Sequence, residues 1–426
     1  MNINNKILKT CIKLIPIYRS ITGSGNLKTL RILKKINTDL KVLKFKSGNK
    51  VYDWRVPKVW EIYDAWIKDE KNFKIIDFKK NFLHVVGYSV KINKNLHYKK
   101  LLKNIYTLKN QPNLIPYVTS YYKKVWGFCM SETQKKKITK GNFQVFINSK
   151  LKDGSLNVGE IYIPGRLKKE ILLTTYICHP QMLNNEISGP SVLIHLSNWI
   201  KKIKNRKYSY RILFSSETIG TICYIKKRYK VLKTNVIGGY VISCVGDDRN
   251  FSYIKSKEDD SLSNQIALRN FKKIKDRKKI FSWLNRGSDE RQFNSPGINL
   301  GIGGICRSKY GEYPEYHTSG DLLGNVVTKK GLNSSYNFFT KVILDFEKAI
   351  IPITKIKCEP FLTKYNLIST LSKKNEKAYN VGNILNLISF CDGSRTIETI
   401  SKLINLDLKN AKKILIILKK NKIVEY

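Results

Sequence analysis

The sequence predicts an α/β protein whose main domain is a mostly parallel β-sheet covered by helices. From about residue 156 to 350, apolar strand-like runs alternate with helix-like segments, a pattern typical of parallel sheets with helices on their faces. Residues 49–155 instead contain short β-type runs among prolines and aromatic residues, and residues from about 355 form three successive helical segments. We therefore predict an α/β domain over 1–48 and 156–354, an inserted β-rich domain over 49–155, and a separate C-terminal domain over 355–426.

The net charge is extreme, but its distribution is not that of a dedicated nucleic-acid surface. The 426 residues contain 79 Lys and Arg against 32 Asp and Glu, a formal charge of +47. Lysines occur in nearly every segment, together with abundant Asn, Ile and Tyr, the mixture that AT-rich codons produce. A nucleic-acid site would concentrate cationic and aromatic residues on one element. We expect non-specific, salt-sensitive binding to polyanions rather than a specific nucleic-acid function.

The cysteines and the apolar segments indicate a cytoplasmic protein. Eight cysteines are scattered without a Cys-x-x-Cys pair, which argues against a disulfide framework or a zinc ribbon and fits a reducing compartment. No stretch reaches the roughly 18–20 apolar residues that span a bilayer. The chain starts with a short amphipathic segment broken by Pro16, which lacks the apolar core and cleavage site of a secretory signal. The oligomeric state stays open, with a homo-oligomer as one alternative.

The elements of the first two domains follow from their periodicity. Residues 6–48 carry apolar side chains at helical spacing on either side of a turn-rich loop. In the inserted segment, the β-type runs are 74–78, 83–90 and 143–147. After residue 156 we predict strands over 171–177, 210–215 and 235–243, and helices over 191–203 and 218–230.

The C-terminal segment has the element order of a winged-helix domain. Two predicted helices, 384–390 and 396–404, are separated by a turn, and a third carries apolar residues at i, i+3, i+4 and i+7 from Ala411. The chain then ends in a short strand, 422–426. Because the third helix has no clear cluster of base-reading residues, we favour packing against a partner. Nucleic-acid binding by a regulator is retained as an alternative function.

Four residues at predicted strand ends or in loops are candidates for one site. His179 follows the strand over 171–177, and the loop after it offers Asn184, Asn185 and Glu186. Further along the chain, candidate site residues are Glu217, Asp289 and His317. Histidine and carboxylate ligands beside a free carboxylate are what zinc-assisted hydrolysis requires, because the metal acidifies water and the carboxylate shuttles its proton.

Several motifs in order carry a resemblance to a known family. The core segment is similar to the co-catalytic zinc aminopeptidases, and nearly the whole chain resembles the aminopeptidase-like proteins associated with bacterial polysaccharide biosynthesis. The matching stretches are Tyr18-Arg19-Ser20-Ile21-Thr22-Gly23, Asp53-Trp54, Trp126-Gly127-Phe128-Cys129, Cys178-His179-Pro180, Ser188-Gly189-Pro190, Glu217-Thr218-Ile219-Gly220, Gly287-Ser288-Asp289-Glu290, Tyr313-Pro314-Glu315-Tyr316-His317-Thr318-Ser319 and Lys357-Cys358-Glu359-Pro360. The resemblance implies a zinc-peptidase-like sheet, a β-rich insert and a C-terminal winged helix.

The resemblance also implies roles for individual residues. His179 and Asp289 match ligands of one zinc, His317 matches a ligand of the other, and Glu217 matches the general base. Thr218 stands where a second glutamate would bind metal, and Asn185 stands where an aspartate would bridge both ions. These two neutral replacements favour one zinc ion, held by His179 and Asp289 with Asn185 or His317.

Two functional hypotheses follow from the candidate site. The first is a metal-dependent hydrolase of an amide bond in a small peptide or an aminoacyl or acylamino sugar, acting in polysaccharide biosynthesis. The second, favoured by Asn185, is a catalytically inactive protein that keeps the pocket for binding or as a scaffold.

Overall fold

A computed structural model describes residues 2–367 and 381–426; residue 1 and residues 368–380, which belong to the predicted first and last domains, lie outside the described residues. The helices of the described part are α1 (Ile3–Leu14), α2 (Ser24–Ile36), α3 (Tyr98–Leu102), α4 (Glu132–Lys135), α5 (Ser188–Lys201), α6 (Ile219–Asn235), α7 (Leu262–Lys272), α8 (Glu290–Phe293), α9 (Lys329–Lys348), α10 (Val381–Ser389), α11 (Ile397–Leu403) and α12 (Leu408–Lys420). The strands are β1 (Lys41–Lys46), β2 (Lys50–Val51), β3 (Trp54–Arg55), β4 (Val59–Lys68), β5 (Lys74–Asp77), β6 (Ile92–His97), β7 (Ile105–Tyr106), β8 (Phe128–Cys129), β9 (Asn142–Lys152), β10 (Ser155–Ile163), β11 (Glu170–Tyr176), β12 (Ser209–Ser215), β13 (Val236–Ile242), β14 (Phe251–Ile254), β15 (Lys278–Phe281), β16 (Ile302–Cys306), β17 (Ile353–Thr354) and β18 (Val424–Glu425).

An eight-stranded sheet in the order β1-β10-β12-β11-β13-β16-β14-β15 forms the centre of the α/β domain. The four central strands, β12, β11, β13 and β16, are parallel, whereas β1 and β10 at one edge and the β14–β16 pair near the other are antiparallel. Every residue of β11 and β12 is buried, as expected for strands covered on both faces. The predicted mostly parallel α/β sheet is confirmed.

Helices cover both faces of this sheet. Alternate residues of β11 point to opposite sides, so that Ile171 and Leu173 belong to a core with α1, α5, α7 and α9, and Leu172 belongs to a core with α6. The helix predicted over 191–203 begins earlier, at Ser188. Pro190 is the third residue of this helix and lies in its first turn, where proline is tolerated.

The β-type segment after β1 builds a second sheet that shares a core with the first. Strands β5, β4, β9 and β6 form an antiparallel four-stranded sheet, and β9 leads through a short turn into β10 of the main sheet. Trp60 and Val145 of the second sheet pack in one apolar cluster with Leu172 and Leu213 of the main sheet. The two sheets are therefore held together by a continuous core.

The C-terminal helices have a core of their own. Residues of α10, α11 and α12 pack around Ile414 and Leu418, and β18 pairs with β17. Arg269 of α7 contacts both Asp345 of α9 and Glu398 of α11, which docks this unit on the α/β domain. Among the described residues no helix is long and apolar enough to cross a membrane, and all eight cysteines are free thiols.

A buried histidine connects the first helix to the sheet-covering helix α5. His195 Nε2 lies 2.9 Å from Thr10 Oγ1, and the Thr10 hydroxyl donates to the Lys6 carbonyl at 2.9 Å. Since the hydroxyl proton is used there, the imidazole Nε2–H is the donor to Thr10. Burial lowers the pKa of His195 from its ordinary value of 6.5 to about 4.

We expect this histidine to make stability depend on pH. Between about pH 6.5 and pH 4 the unfolded chain binds a proton at His195 that the folded chain does not bind, so the free energy of unfolding falls as the pH falls through this window. At 1.36 kcal/mol per pKa unit, the total loss is about 3 kcal/mol. His195→Gln keeps a donor toward Thr10 but does not titrate.

Urea unfolding followed by circular dichroism at about pH 7 and about pH 5 tests this expectation. His195→Gln should lose about 2 kcal/mol less than the wild type between the two values. His97→Gln, which changes an exposed histidine on β6, is the matched control and should follow the wild type. Equal pH slopes for His195→Gln and the wild type would contradict the assignment.

Candidate functional site

Two neighbouring parallel strands bring His179 and Glu217 together. In the β11–β12 pair Tyr176 is opposite Ser215, so the two candidate residues lie just beyond the carboxyl ends of their strands, where ligand sites of open α/β sheets form. His179 Nε2 is 3.9 Å from Glu217 Oε2. This distance is too long for a hydrogen bond, and the two atoms therefore face a common space.

The other nitrogen of His179 is held by a carboxylate behind it. His179 Nδ1 lies 2.9 Å from Glu186 Oε2, and the Glu186 side chain is fully buried. This contact makes Nδ1–H the donor and leaves Nε2 with a free lone pair toward Glu217. Burial disfavours protonation of His179, but the hydrogen bond and the charge of Glu186 outweigh it and raise the pKa of the imidazole.

Arg19 supports the same carboxylate from the loop after α1. Its side chain is 1% exposed, and its Nε lies 3.5 Å from Glu186 Oε1. The guanidinium also donates to the carbonyls of His179 and Leu14 at 3.1 and 2.8 Å. Arg19 thus neutralises Glu186 and connects the N-terminal segment to the end of β11.

His317 completes a pair of imidazoles. Its ring centroid is 5.4 Å from that of His179, and Tyr117 packs edge-on against both rings at 5.2 and 5.1 Å. His317 has a positive φ of 55°, and its Nε2 is buried without a hydrogen-bond partner. Burial and the neighbouring His179 lower the pKa of His317 to about 3, so its imidazole is a neutral donor of a lone pair.

Asn185 lies in a π-helical turn, Leu183–Ile187, between β11 and α5, a feature frequent at functional sites. Its Nδ2 donates to the Tyr176 hydroxyl at 2.8 Å, while its Oδ1 is buried without a partner. Its backbone N–H donates to Asp321 Oδ2 at 2.9 Å, and that of Asn184 donates to Asp321 Oδ1 at 2.6 Å. Asp321, which follows His317, therefore fixes the turn that carries Asn185.

The orientation of Glu217 depends on the loop after β15. Ser288 Oγ donates to Glu217 Oε1 at 2.8 Å, which leaves Oε2 toward the histidines. Glu290 holds this loop, because its Oε1 accepts from the N–H groups of Gly287 and Ser288 and from the Tyr310 hydroxyl. Burial raises the pKa of Glu217, although the charge of His179 opposes this shift.

Asp289, the residue before α8, lies in space beside Glu217 and close to the first residues of α6. Its Oδ1 accepts from the Thr218 N–H and its Oδ2 from the Thr221 hydroxyl, both at 2.7 Å. Burial and the charge of Glu217 raise the pKa of Asp289 to about 7. Both carboxylate oxygens thus accept hydrogen bonds at the start of the helix, and because each oxygen has a second lone pair these bonds do not prevent Asp289 from ligating a metal.

Thr218, at the position of the missing second glutamate, directs its hydroxyl away from the histidine pair. Thr218 Oγ1 accepts from Arg291 at 2.7 Å. Its φ is +63°, a rare conformation for a β-branched residue. Such backbone strain is concentrated at functional sites.

By their chemistry, the residues around the shared space suit one metal ion. Imidazole nitrogens and carboxylate or amide oxygens are metal ligands, and His317 Nε2 and Asn185 Oδ1 are buried without a hydrogen-bond partner. The donor atoms of His179, His317 and Glu217 do not all lie within 4.8 Å of one another, so one ion could not be bound by all three without movement of the side chains.

A second group of potential ligands, Cys178, His179 and Glu186, lies behind His179. The Glu186 carboxylate is already bonded to His179 Nδ1. Burial raises the pKa of the Cys178 thiol well above its usual range, and its sulfur accepts the Glu217 N–H at 3.2 Å. A protonated thiol is a poor metal ligand, so the space facing Glu217 is the better site.

Solvent reaches Glu217 through a narrow pocket. The Glu217 side chain is 23% exposed, and the pocket over it is lined by Ile21, Trp54, Pro57, Tyr121, Tyr122, Thr218 and Ile219. Four of these side chains come from the segment 49–155: Trp54, Pro57, Tyr121 and Tyr122. The β-rich segment therefore walls the entrance to the site.

Sequence reasoning did not assign roles to Arg19, Ser288 and Asp321, and it named Glu186 as a carboxylate in the loop after His179 without predicting its contact with Nδ1. Arg19 and Ser288 belong to motifs that carry the resemblance, and Glu186 follows His179 by seven residues. Asp321 follows His317 by four residues in a polar loop. These acidic residues near each histidine were a usable signal, but only their contacts identify which histidine atom they serve.

Comparisons with known proteins agree with the fold and the motif order. A family model described as a domain of unknown function (DUF4910) matches residues 8–349, and one described as winged helix-turn-helix matches residues 350–426. A protein of Clostridium acetobutylicum named as a polysaccharide biosynthesis protein with an aminopeptidase-like domain is 38% identical over 401 residues, which are 94% of this chain and 91% of that protein.

Solved structures give the same picture. A Clostridium acetobutylicum structure named as a peptidase has a TM-score of 0.80 and 36% identity, covering 99% of this chain and 96% of that one. A zinc aminopeptidase of Bacillus subtilis has a TM-score of 0.58 and 14% identity, covering 84% and 96%; this second likeness shows the fold alone. The resemblance inferred from the motifs is confirmed: the chain belongs to the DUF4910 family, with an aminopeptidase-like α/β fold and a C-terminal winged helix-turn-helix.

Proposed function

We propose that this protein is a metal-dependent hydrolase of an amide bond. The observation that supports it best is the approach of His179 Nε2 to the Glu217 carboxylate, 3.9 Å apart at the carboxyl edge of the parallel strands, with the His317 ring 5.4 Å from that of His179. Imidazole ligands with a free carboxylate beside them are what zinc-assisted hydrolysis requires. His179, His317 and Asn185 would hold one zinc ion, with Glu217 beside it.

The chain's own groups account for the proton transfers of amide hydrolysis. Zinc, when bound, polarises a carbonyl and lowers the pKa of water. Glu217 Oε2 takes the proton of the attacking water and returns it to the leaving amine, while Ser288 holds Oε1 in place. The raised pKa of Glu217 suits this role, since a base works best when its pKa approaches the operating pH. Tyr117 covers the two imidazoles and limits the access of further water.

The substrate class is inferred from the relative's name and from the site. A polysaccharide biosynthesis protein with an aminopeptidase-like domain suggests an amide in a small peptide or in an aminoacyl or acylamino sugar. The pocket over Glu217 has a volume of about 20 Å³, room for little more than a water molecule, so it would have to widen to admit an amide group of any size. Non-specific binding of polyanions, nucleic-acid binding by the winged helix, assembly into a homo-oligomer and a cytoplasmic location remain predictions.

Metal binding is the first test. The purified protein, stripped with a chelator and titrated with zinc, should bind about one equivalent. His179→Ala and His317→Ala should each weaken binding by at least about tenfold, because changes even outside the ligand set cost about 10–100-fold. His97→Ala on β6 is the control and should bind as the wild type does. A wild-type protein that takes up no zinc or other divalent metal would refute the proposal.

Glu217→Gln separates catalysis from metal binding. The amide keeps the acceptor toward Ser288 but cannot carry the proton, so turnover should fall by about 10²–10⁴-fold while one zinc stays bound. Turnover is measured on a panel of aminoacyl anilides and acylated amino sugars, and metal content by atomic emission. Glu258→Gln, at a half-exposed position, should retain full activity. Unchanged turnover in Glu217→Gln would exclude this residue as the base.

Asn185→Asp distinguishes the hydrolase from an inactive binding protein. A carboxylate at this position adds a negative charge where Asn185 Oδ1 now has no partner, and we expect zinc affinity to rise at least about tenfold. If the wild type is inert and this variant gains both metal and turnover, the scaffold alternative is correct for the natural chain. If the wild type turns over, the amide is a competent ligand and that alternative fails.

A further inference from the structure

A second and larger concavity lies along α6, outside the histidine pair. Its volume is about 830 Å³, within the range typical of ligand sites. Its lining includes three aromatic residues, Tyr52, Trp54 and Tyr229, and lysines of α6. We call it the α6 groove. Neither the proposed chemistry nor the family descriptions assign a role to it.

The two walls of the α6 groove are held at a fixed separation by α6 itself. On one side Lys226 Nζ donates to the carbonyl of Lys50 at 2.9 Å and lies 5.9 Å from the centre of the Tyr52 ring. On the other side the Tyr229 hydroxyl and Lys233 Nζ donate to the carbonyls of Gly297 and Ile298, at 3.2 and 2.8 Å. The groove is therefore preformed.

The aromatic side chains of the groove are exposed rather than packed. Tyr52 is 46% exposed, Tyr229 41% and Trp54 37%, whereas Trp60 and Tyr88 of the same segment are 1% exposed. Clustered exposed rings in a concave surface mark a ligand site. Aromatic faces are partly negative and attract the polarised C–H groups of a flat ring such as a pyranose.

The charges of the groove select an anion. Four cationic side chains, Lys226, Lys227, Arg228 and Lys230, face one acidic side chain, Asp53. Arg228 is paired with Glu160 at 2.6 Å, and Lys226 is engaged with the β2–β3 hairpin. Lys227 and Lys230 are exposed, and neither has an ion pair within the described residues, so both are free to bind a carboxylate or a phosphate.

The groove and the pocket over Glu217 share one side chain, because Trp54 lines both cavities. The Tyr122 hydroxyl, on the pocket side, donates to the carbonyl of Arg55, the residue after Trp54, at 2.6 Å. The two cavities are therefore neighbours, and a ligand in the groove that extends past Trp54 would approach Glu217.

We infer that the α6 groove binds an anionic glycan, that is, pyranose rings stacked on Tyr52, Trp54 and Tyr229 with a carboxylate or phosphate bound by Lys227 and Lys230. As a subsite for substrate the groove rests on the proposed function, because only then would a ligand that passes Trp54 bring a scissile amide to Glu217. Binding of a glycan in the groove does not depend on whether the protein catalyses hydrolysis.

Equilibrium binding to the full-length wild type tests the groove. The probes are trigalacturonate, which carries carboxylates, glucose 1-phosphate, which carries a phosphate, and neutral maltotriose. None contains an amide bond, so turnover plays no part. Calorimetry is done at about 0.15 M salt, where the Debye length is about 8 Å and distant lysines are screened. Saturable binding of one or both anions, with maltotriose weaker, is expected; the anion preferred tells a uronic acid from a sugar phosphate.

Matched variants separate the groove from the general positive charge. Lys227→Gln/Lys230→Gln should weaken binding about three- to tenfold, and Tyr52→Ala by a similar factor through lost ring contact. The controls are Lys99→Gln/Lys100→Gln on α3, which removes the same charge, and Tyr63→Ala, a tyrosine 55% exposed on β4.

Two outcomes would overturn the inference: no saturable binding of either anion, or equal weakening by the groove and control lysine pairs. Circular dichroism melts establish that each variant is folded, and Tyr52→Ala and the lysine pair test the groove independently of each other. If no glycan binding in the groove is found, but zinc binds and Glu217→Gln lowers turnover, the hydrolase proposal stands.

Discussion

The buried carboxylate of Glu186 is the interaction on which the site depends. Removing an ion from water costs several kcal/mol, and only close partners compensate for it. Glu186 has two, His179 Nδ1 at 2.9 Å and Arg19 Nε at 3.5 Å. These contacts join the loop after α1, the end of β11 and the turn before α5. Glu186 accepts the hydrogen bond of Nδ1–H, so the Nε2 lone pair of His179 faces Glu217. A fully buried charge therefore sets the orientation of this histidine.

A second buried carboxylate, Asp321, connects the loops that carry the two histidines. Asp321 accepts from the backbone of Asn184 and Asn185 and from the Tyr313 hydroxyl, and thereby joins the loop of one histidine to the turn after the other. The charges of Glu186 and Asp321 thus serve to position His179 and the turn that carries Asn185. The groups that remain around the shared space are His179, the neutral side chains of His317 and Asn185, and the carboxylate of Glu217.

Periodicity was sufficient to predict the sheet, because buried parallel strands are continuous apolar runs. It also predicted that His179 and Glu217 meet, since the carboxyl ends of neighbouring parallel strands share an edge. Periodicity could not predict which contacts the two carboxylates of the 287–290 loop, Asp289 and Glu290, would make. Asp289 matches a ligand in the family's motif order, and in the fold its two oxygens also accept from Thr218 and Thr221 at the start of α6, 71 and 68 residues away in sequence. Contacts of this kind, like that of Asp321 with Asn184 over 137 residues, leave no local pattern.

The β-rich segment contributes side chains that cover the site and line its entrance. Tyr117 covers both imidazoles, its N–H donates to the His317 carbonyl at 2.8 Å, and Tyr121 and Tyr122 wall the entrance over Glu217. The main sheet alone would expose the histidine pair to bulk water, where electrostatic interactions are weak. The residues that exclude water are thus also the residues that a substrate must pass. In the proposed hydrolase, selection among amides would therefore be a property of this segment, whereas the chemistry performed on them would be a property of the strand ends beneath it.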